Sequence, residues 1–197
     1  MIHFVLNAVI FDLAWLVNVM PAGQGLTWIG PMFSLCWLLF HMSTYPQKRV
    51  SDLRLCITAA LIGYGADSLL VLSGLMAFPP HAQLGGPSTV WMVALWINLS
   101  LTLNHSLVWL RNRYLLAALL GGIAGPLAYF AGTKLDAITL EAGYLPLIAI
   151  ALLWMLAMPL LVWLAMLYNR YDKPVHYTGV TPGISVNCCC MPGPSPL

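Results

Sequence analysis

Residues 68–110 contain no Asp, Glu, Lys or Arg, and the same is true of residues 13–47 and 142–169. A helix needs roughly 20 apolar residues to cross a hydrocarbon core about 30 Å thick. The runs 13–47 and 68–110 are each long enough for two crossings and a turn. Only 7% of the chain is charged and 60% is hydrophobic, against about 25% charged in a soluble domain. No soluble fold of this size hides that much apolar surface, so the bilayer is the solvent and a polytopic membrane protein is the expected class. Backbone groups in lipid must bond internally, which leaves helices or a closed barrel. Continuous rather than alternating hydrophobicity selects an all-α bundle.

Turn-rich breaks divide the chain into six expected spans, at about 4–20, 26–42, 55–76, 90–110, 114–132 and 144–168. With six spans, one side of the membrane receives Lys48, Arg49, Arg54, Arg111, Arg113, Arg170 and Lys173, and the other only Lys134. Basic residues accumulate on the cytoplasmic side, so both termini are expected there. The aromatic residues fit the same frame, with Trp28, Trp91 and Tyr144 at the outer boundary and Tyr45, Trp109, Tyr114 and Tyr168 at the inner one. The segment 169–197 holds Pro174, Pro182, Pro192, Pro194 and Pro196 and few large apolar residues. It reads as a flexible, disordered cytoplasmic tail. The net charge of +2 says nothing about nucleic acid, but the basic residues are few and sit at span ends rather than in a stripe, so no nucleic-acid partner is expected.

Polar residues inside the spans carry what chemistry there is. An acid at a helix centre costs about 2.5–3.5 kcal/mol on insertion scales, so Asp12 and Asp67 mark a pocket or pathway rather than ordinary packing. A rise of 1.5 Å per residue puts Asp12, Asp67 and Asn98 all near the midplane. A second polar layer, closer to the cytoplasm, comprises Asn7, His41, Arg54, Asn104, His105 and Ser106. In the fourth span Trp91, Asn98, Thr102, His105 and Trp109 fall on one helical stripe, while Asn104 projects toward another neighbour. Interhelical bonding accounts for Asn7, Asn98, Asn104 and Ser106; His105 can also carry protons. Together Asn7, Asp12, Asp67, Asn98, Asn104 and His105 are the candidate intramembrane polar pocket.

Gly121 and Gly125 have the spacing that lets membrane helices approach closely, and Pro126 predicts a kink. No HExxH, Walker A, GxSxG or paired CxxC motif is present, and no His pair has helical metal-ligand spacing, so neither a metal nor a cofactor is expected. Cys188, Cys189 and Cys190 could bind a soft metal or accept an acyl chain, although a dispensable tail is the simpler reading.

The stretches "LNAVIFDLAWL", "LIGYGADSLL", "TLNHSLVWL" and "GGIAGPLAYFAG" resemble the bacterial membrane-protein family known as domain of unknown function 2878, over about residues 1–168. That resemblance implies a multi-pass protein of a Gram-negative inner membrane, encoded near fatty-acid-modifying genes. It assigns no reaction; its recurrent positions match Asn7, Asp12, Trp15, Asp67, Asn104 and His105. The favoured function is non-catalytic: binding a lipid or lipophile, or assisting other membrane proteins of a lipid-modifying pathway, through the polar pocket. A small proton-coupled transporter using Asp12, Asp67 and His105 is one alternative. An intramembrane enzyme acting on acyl chains, with His105 as base, is the other.

Overall fold

The structure, a computed structural model, describes residues 2–170, with side chains from residue 5 onward. From residue 171 the expected tail, with its cysteines, lies outside the described residues. Among the described residues six α-helices follow one another: α1 (Ile2–Gly23), α2 (Ile29–Thr44), α3 (Arg49–Leu72), α4 (Val90–Leu103), α5 (Tyr114–Lys134) and α6 (Leu145–Asn169). Four of them, α1, α3, α5 and α6, are long and apolar enough to cross a membrane. The expectation of six spans holds by length for four helices; α2 and α4, with 16 and 14 residues, are shorter than a crossing needs.

The shortness of α4 has a physical cause. At 1.5 Å per residue it extends about 21 Å, less than a hydrocarbon core. Ten of its 14 residues are buried, so it meets neighbouring helices rather than lipid. The fourth span was expected to run to Leu110; the helix instead stops at Leu103. Beyond it His105 N–H and Leu107 N–H both return to Thr102 O, at 3.0 and 2.8 Å, and a 3-10 turn covers Val108–Leu110. Side chains serve the irregular backbone. Asn7 Oδ1 accepts from Ser106 N–H at 3.3 Å, and Lys48 Nζ donates to Asn104 O at 3.5 Å. Backbone that leaves a helix needs partners of this kind wherever it is shielded from water. Because the helix ends first, the stripe expected from Trp91 to Trp109 does not extend to His105.

The third span also differs, starting at Arg49 rather than residue 55 and ending at Leu72 rather than residue 76. Asp52 therefore sits in a first helical turn, where the helix dipole favours an acid. It shares a buried face with Leu55, Cys56 and Ala59, three, four and seven residues on.

Helix α4 forms the centre, packed against α1, α2 and α3; α6 packs on α3 and α5. The spacing of Gly121 and Gly125 does what close packing requires. A Cβ at Gly121 would lie 2.5 Å from Trp154 O, and one at Gly125 would lie 2.4 Å from Trp154 Cγ. Helix α5 packs on α6 rather than on α1, which leaves a cleft between α1 and α5.

Two ends can be told apart. At one, strands β1 (Met76–Ala77) and β2 (Thr139–Leu140) pair antiparallel, Met76 opposite Leu140, and join the α3–α4 and α5–α6 connections. Gly23 abuts Leu135 there so closely that a Cβ would be 1.8 Å from the Leu135 carbonyl oxygen. The other end gathers the start of α1, the α2–α3 connection, residues 104–113 and the end of α6, through Asn7–Ser106, Lys48–Asn104 and Asn169–Asn104 bonds. Lys48, Arg49, Arg111, Arg113 and Arg170 lie at this basic end.

Candidate functional site

The α1–α5 cleft has a volume of about 610 Å³. Phe11, Asp12, Trp15 and Leu16 of α1 form one wall, and Leu120, Ala124 and Ala128 of α5 the other. Its floor is aromatic, from Trp91 and Trp96 of α4, Tyr129 of α5 and Trp154 of α6. Among the lining residues Asp12 is the one carboxylic acid.

Asp67 does not line the cleft but fixes its floor from behind. Its carboxyl is fully buried. Oδ2 accepts the Trp96 indole N–H at 2.9 Å, and Oδ1 accepts the Tyr129 hydroxyl. One acid on α3 thereby orients rings from α4 and α5. Trp96 then stacks on Trp154 with centroids 4.6 Å apart and planes 14° apart, and Tyr129 meets Trp154 edge-on at 6.5 Å. Gly63, facing Trp96, leaves room for the ring: a Cβ there would come within 2.1 Å of it.

A second constellation sits at the basic end. His41, in the last turn of α2, and Asp52, in the first turn of α3, bring Nε2 and Oδ2 to 3.0 Å. His105, just past α4, places its Nε2 3.4 Å from the same oxygen. The other carboxyl oxygen accepts Asn104 Nδ2 at 2.7 Å. Asn104 Oδ1 in turn accepts from Arg111 Nη2 at 3.1 Å and from Asn169 of α6. Tyr45 lies against both imidazoles, 4.9 Å from His41 and 4.5 Å from His105 between centroids. His41 and Asp52 are buried and His105 is 10% exposed, so the cluster opens to its surroundings at His105. Two imidazole nitrogens and a carboxylate oxygen converge, with all three ligand atoms within 4.8 Å of one another.

The six residues of the expected polar pocket occupy five places. Asn104 and His105 join the basic-end cluster, Asp12 lines the cleft and Asp67 lies behind its floor. Asn7 bonds Ser106 Oγ at 2.6 Å and Leu101 O at 3.4 Å, pinning α1 to the irregular segment. Asn98 donates to Ser34 Oγ at 2.8 Å; Asn18 donates to the same oxygen at 3.0 Å, knotting α4, α2 and α1 together. The structure brings no more than two of the six together, and the cavity itself is apolar.

Sequence reasoning missed Asp52, Asn18 and Ser34. Asp52 sits in "KRVSDLR", where neighbouring charges make it read as part of a solvated loop. The available signal was its helical spacing to Leu55, Cys56 and Ala59, which puts it on an apolar face. Asn18 and Ser34 meet only through the packing of α1 on α2, which no local pattern encodes.

No curated protein and no solved structure matches the chain. Residues 4–160 match the family described as protein of unknown function, DUF2878, a range that takes in the cleft and the basic-end cluster. This polytopic membrane protein therefore belongs to the DUF2878 family.

Proposed function

We propose that this protein is a six-span protein of the bacterial inner membrane that holds a lipid chain or similar lipophile in the α1–α5 cleft. The observation that carries this reading is the cleft itself: about 610 Å³, apolar, with its aromatic floor fixed by Asp67. Its volume lies within the range of roughly 300–1,000 Å³ typical of small-molecule sites, which pair mostly apolar walls with a few placed polar groups. Asp12 supplies such a group, an oxygen acceptor in the middle of α1 that suits a hydroxyl or amine on the ligand. Flanked by α1 and α5, two helices of spanning length, the cleft is suited to lateral entry from the bilayer. In this reading α2 and α4 complete the crossing inside the shelter of the longer helices. The basic end faces the cytoplasm, as its Lys and Arg residues favour. Partner proteins of a lipid-modifying pathway would receive or supply the ligand. The proton-coupled transporter reading has less support, because Asp12, Asp67 and His105 stand apart with no shared chain of bonds.

Mass spectrometry of lipids co-purifying with the protein tests the proposal. Wild type should retain a defined lipophile, and Ala124→Phe and Ala128→Phe, which fill the cleft from α5, should lose it. An identical lipid complement in all three proteins overturns the reading.

A further inference from the structure

We propose that His41, Asp52 and His105 form a binding site for one divalent transition-metal ion at the basic end of the bundle. The site is independent of the cleft and of any ligand held there.

The donor set and its spacing carry the inference. Zinc-like ions bind imidazole nitrogen and carboxylate oxygen at about 2.0–2.2 Å. A tetrahedral ion therefore sets its ligand atoms roughly 3.3 Å apart by the same bond lengths. The two His–Asp separations, 3.0 and 3.4 Å, already match that edge. The third, between the imidazoles, is within 4.8 Å and closes if His105 moves inward. His105, just past the end of α4 and 10% exposed, is the least buried of the three.

The surroundings fit a ligand shell. Metal-binding carboxylates are commonly held by outer hydrogen bonds that orient them. Asn104 does this for Asp52 through Oδ1, leaving Oδ2 for the ion, and is itself held by Arg111 and Asn169. Lys48 and Arg111 bring positive charge close, but their bonds go to Asn104 rather than to Asp52. The ring atom that His41 aims at the carboxylate is Nε2; its buried Nδ1 makes no hydrogen bond among the described residues.

Two imidazoles with one carboxylate favour zinc, iron, cobalt or manganese over magnesium or calcium, which take oxygen ligands. Three protein ligands leave coordination positions open, as in sites that bind and activate a further molecule rather than sites that only stabilise a fold. The histidines are far apart in sequence and on different elements, which is why no helical ligand spacing announces them.

The test uses the full chain with Cys188, Cys189 and Cys190 replaced by Ser, so that tail thiols do not compete, purified in detergent and stripped with chelator. Titration with Co2+, read by visible absorption and metal analysis, should give one equivalent. Asp52→Asn and His105→Ala should each weaken binding at least tenfold. His105→Ala is the decisive variant should Asp52→Asn fail to fold, because its side chain is partly exposed and its loss leaves the Asn104–Asp52 bond in place. The absence of Co2+ binding, or an affinity for His105→Ala within twofold of the parent, overturns the proposal.

Discussion

The bond from the Trp96 indole to Asp67 is the sharpest test of how the cleft floor is held. Asp67→Ala on its own is a poor probe, because it deletes two hydrogen bonds and also relieves the burial of a carboxyl. A double-mutant cycle with Trp96→Phe cancels the second effect and isolates the indole–carboxyl pair. A typical intramolecular hydrogen bond is worth about 0.5–1.5 kcal/mol net in soluble proteins. In membrane proteins coupling energies average about 0.6 and reach about 1.7 kcal/mol, because the unfolded chain in lipid also finds partners. Here the acid is fully buried, the indole is 2% exposed and the contact is 2.9 Å, which places the pair in the upper part of that range. The expected coupling is about 1–1.7 kcal/mol. Equilibrium unfolding of the four proteins in mixed micelles measures it. A coupling below about 0.4 kcal/mol, the scatter of independent sites, would refute the claim that Asp67 fixes the floor.

Two further predictions concern packing and orientation. Gly63→Ala drives a Cβ to 2.1 Å from Trp96 and should cost about 1–3 kcal/mol. Gly65→Ala, on the same helix with nothing within 4 Å, should stabilise by about 0.5–1 kcal/mol through helix propensity; equal thermal stability of the two variants would contradict the packing described. For orientation, Glu141→Cys should react with an impermeant thiol reagent on intact cells and Arg113→Cys only after the cells are opened, in a chain whose tail cysteines are Ser. The reverse pattern would invert the assignment.

The membrane class was legible because it follows from a sum over residues: long charge-free runs have no stable state in water. Helix positions were legible for the same reason, and α5 and α6 fall within about two residues of the expected spans. The close packing of Gly121 and Gly125 was legible too, since small residues four apart always share a helix face. The boundaries that failed are those where charge or polarity interrupts the apolar pattern. Arg49, Asp52 and Arg54 broke the run that α3 in fact continues. In α4 the apolar run continued through Leu107–Leu110 after the helix had ended: Asn7 and Lys48 bond the backbone of Ser106 and Asn104, and tight local turns carry residues 107–110.

The sequence by itself determined the solvent of this protein, its helical class and the cost of each polar residue placed in lipid. Only the tertiary structure decided where each such residue meets its partners, since those partners are donors and acceptors from other helices. Asp67 became a brace for Trp96 and Tyr129, Asp52 the meeting point of His41, Asn104 and His105, and Asp12 the acid of an apolar cleft. A polar side chain's expense is local and readable from composition, whereas its satisfaction depends on which helix faces converge.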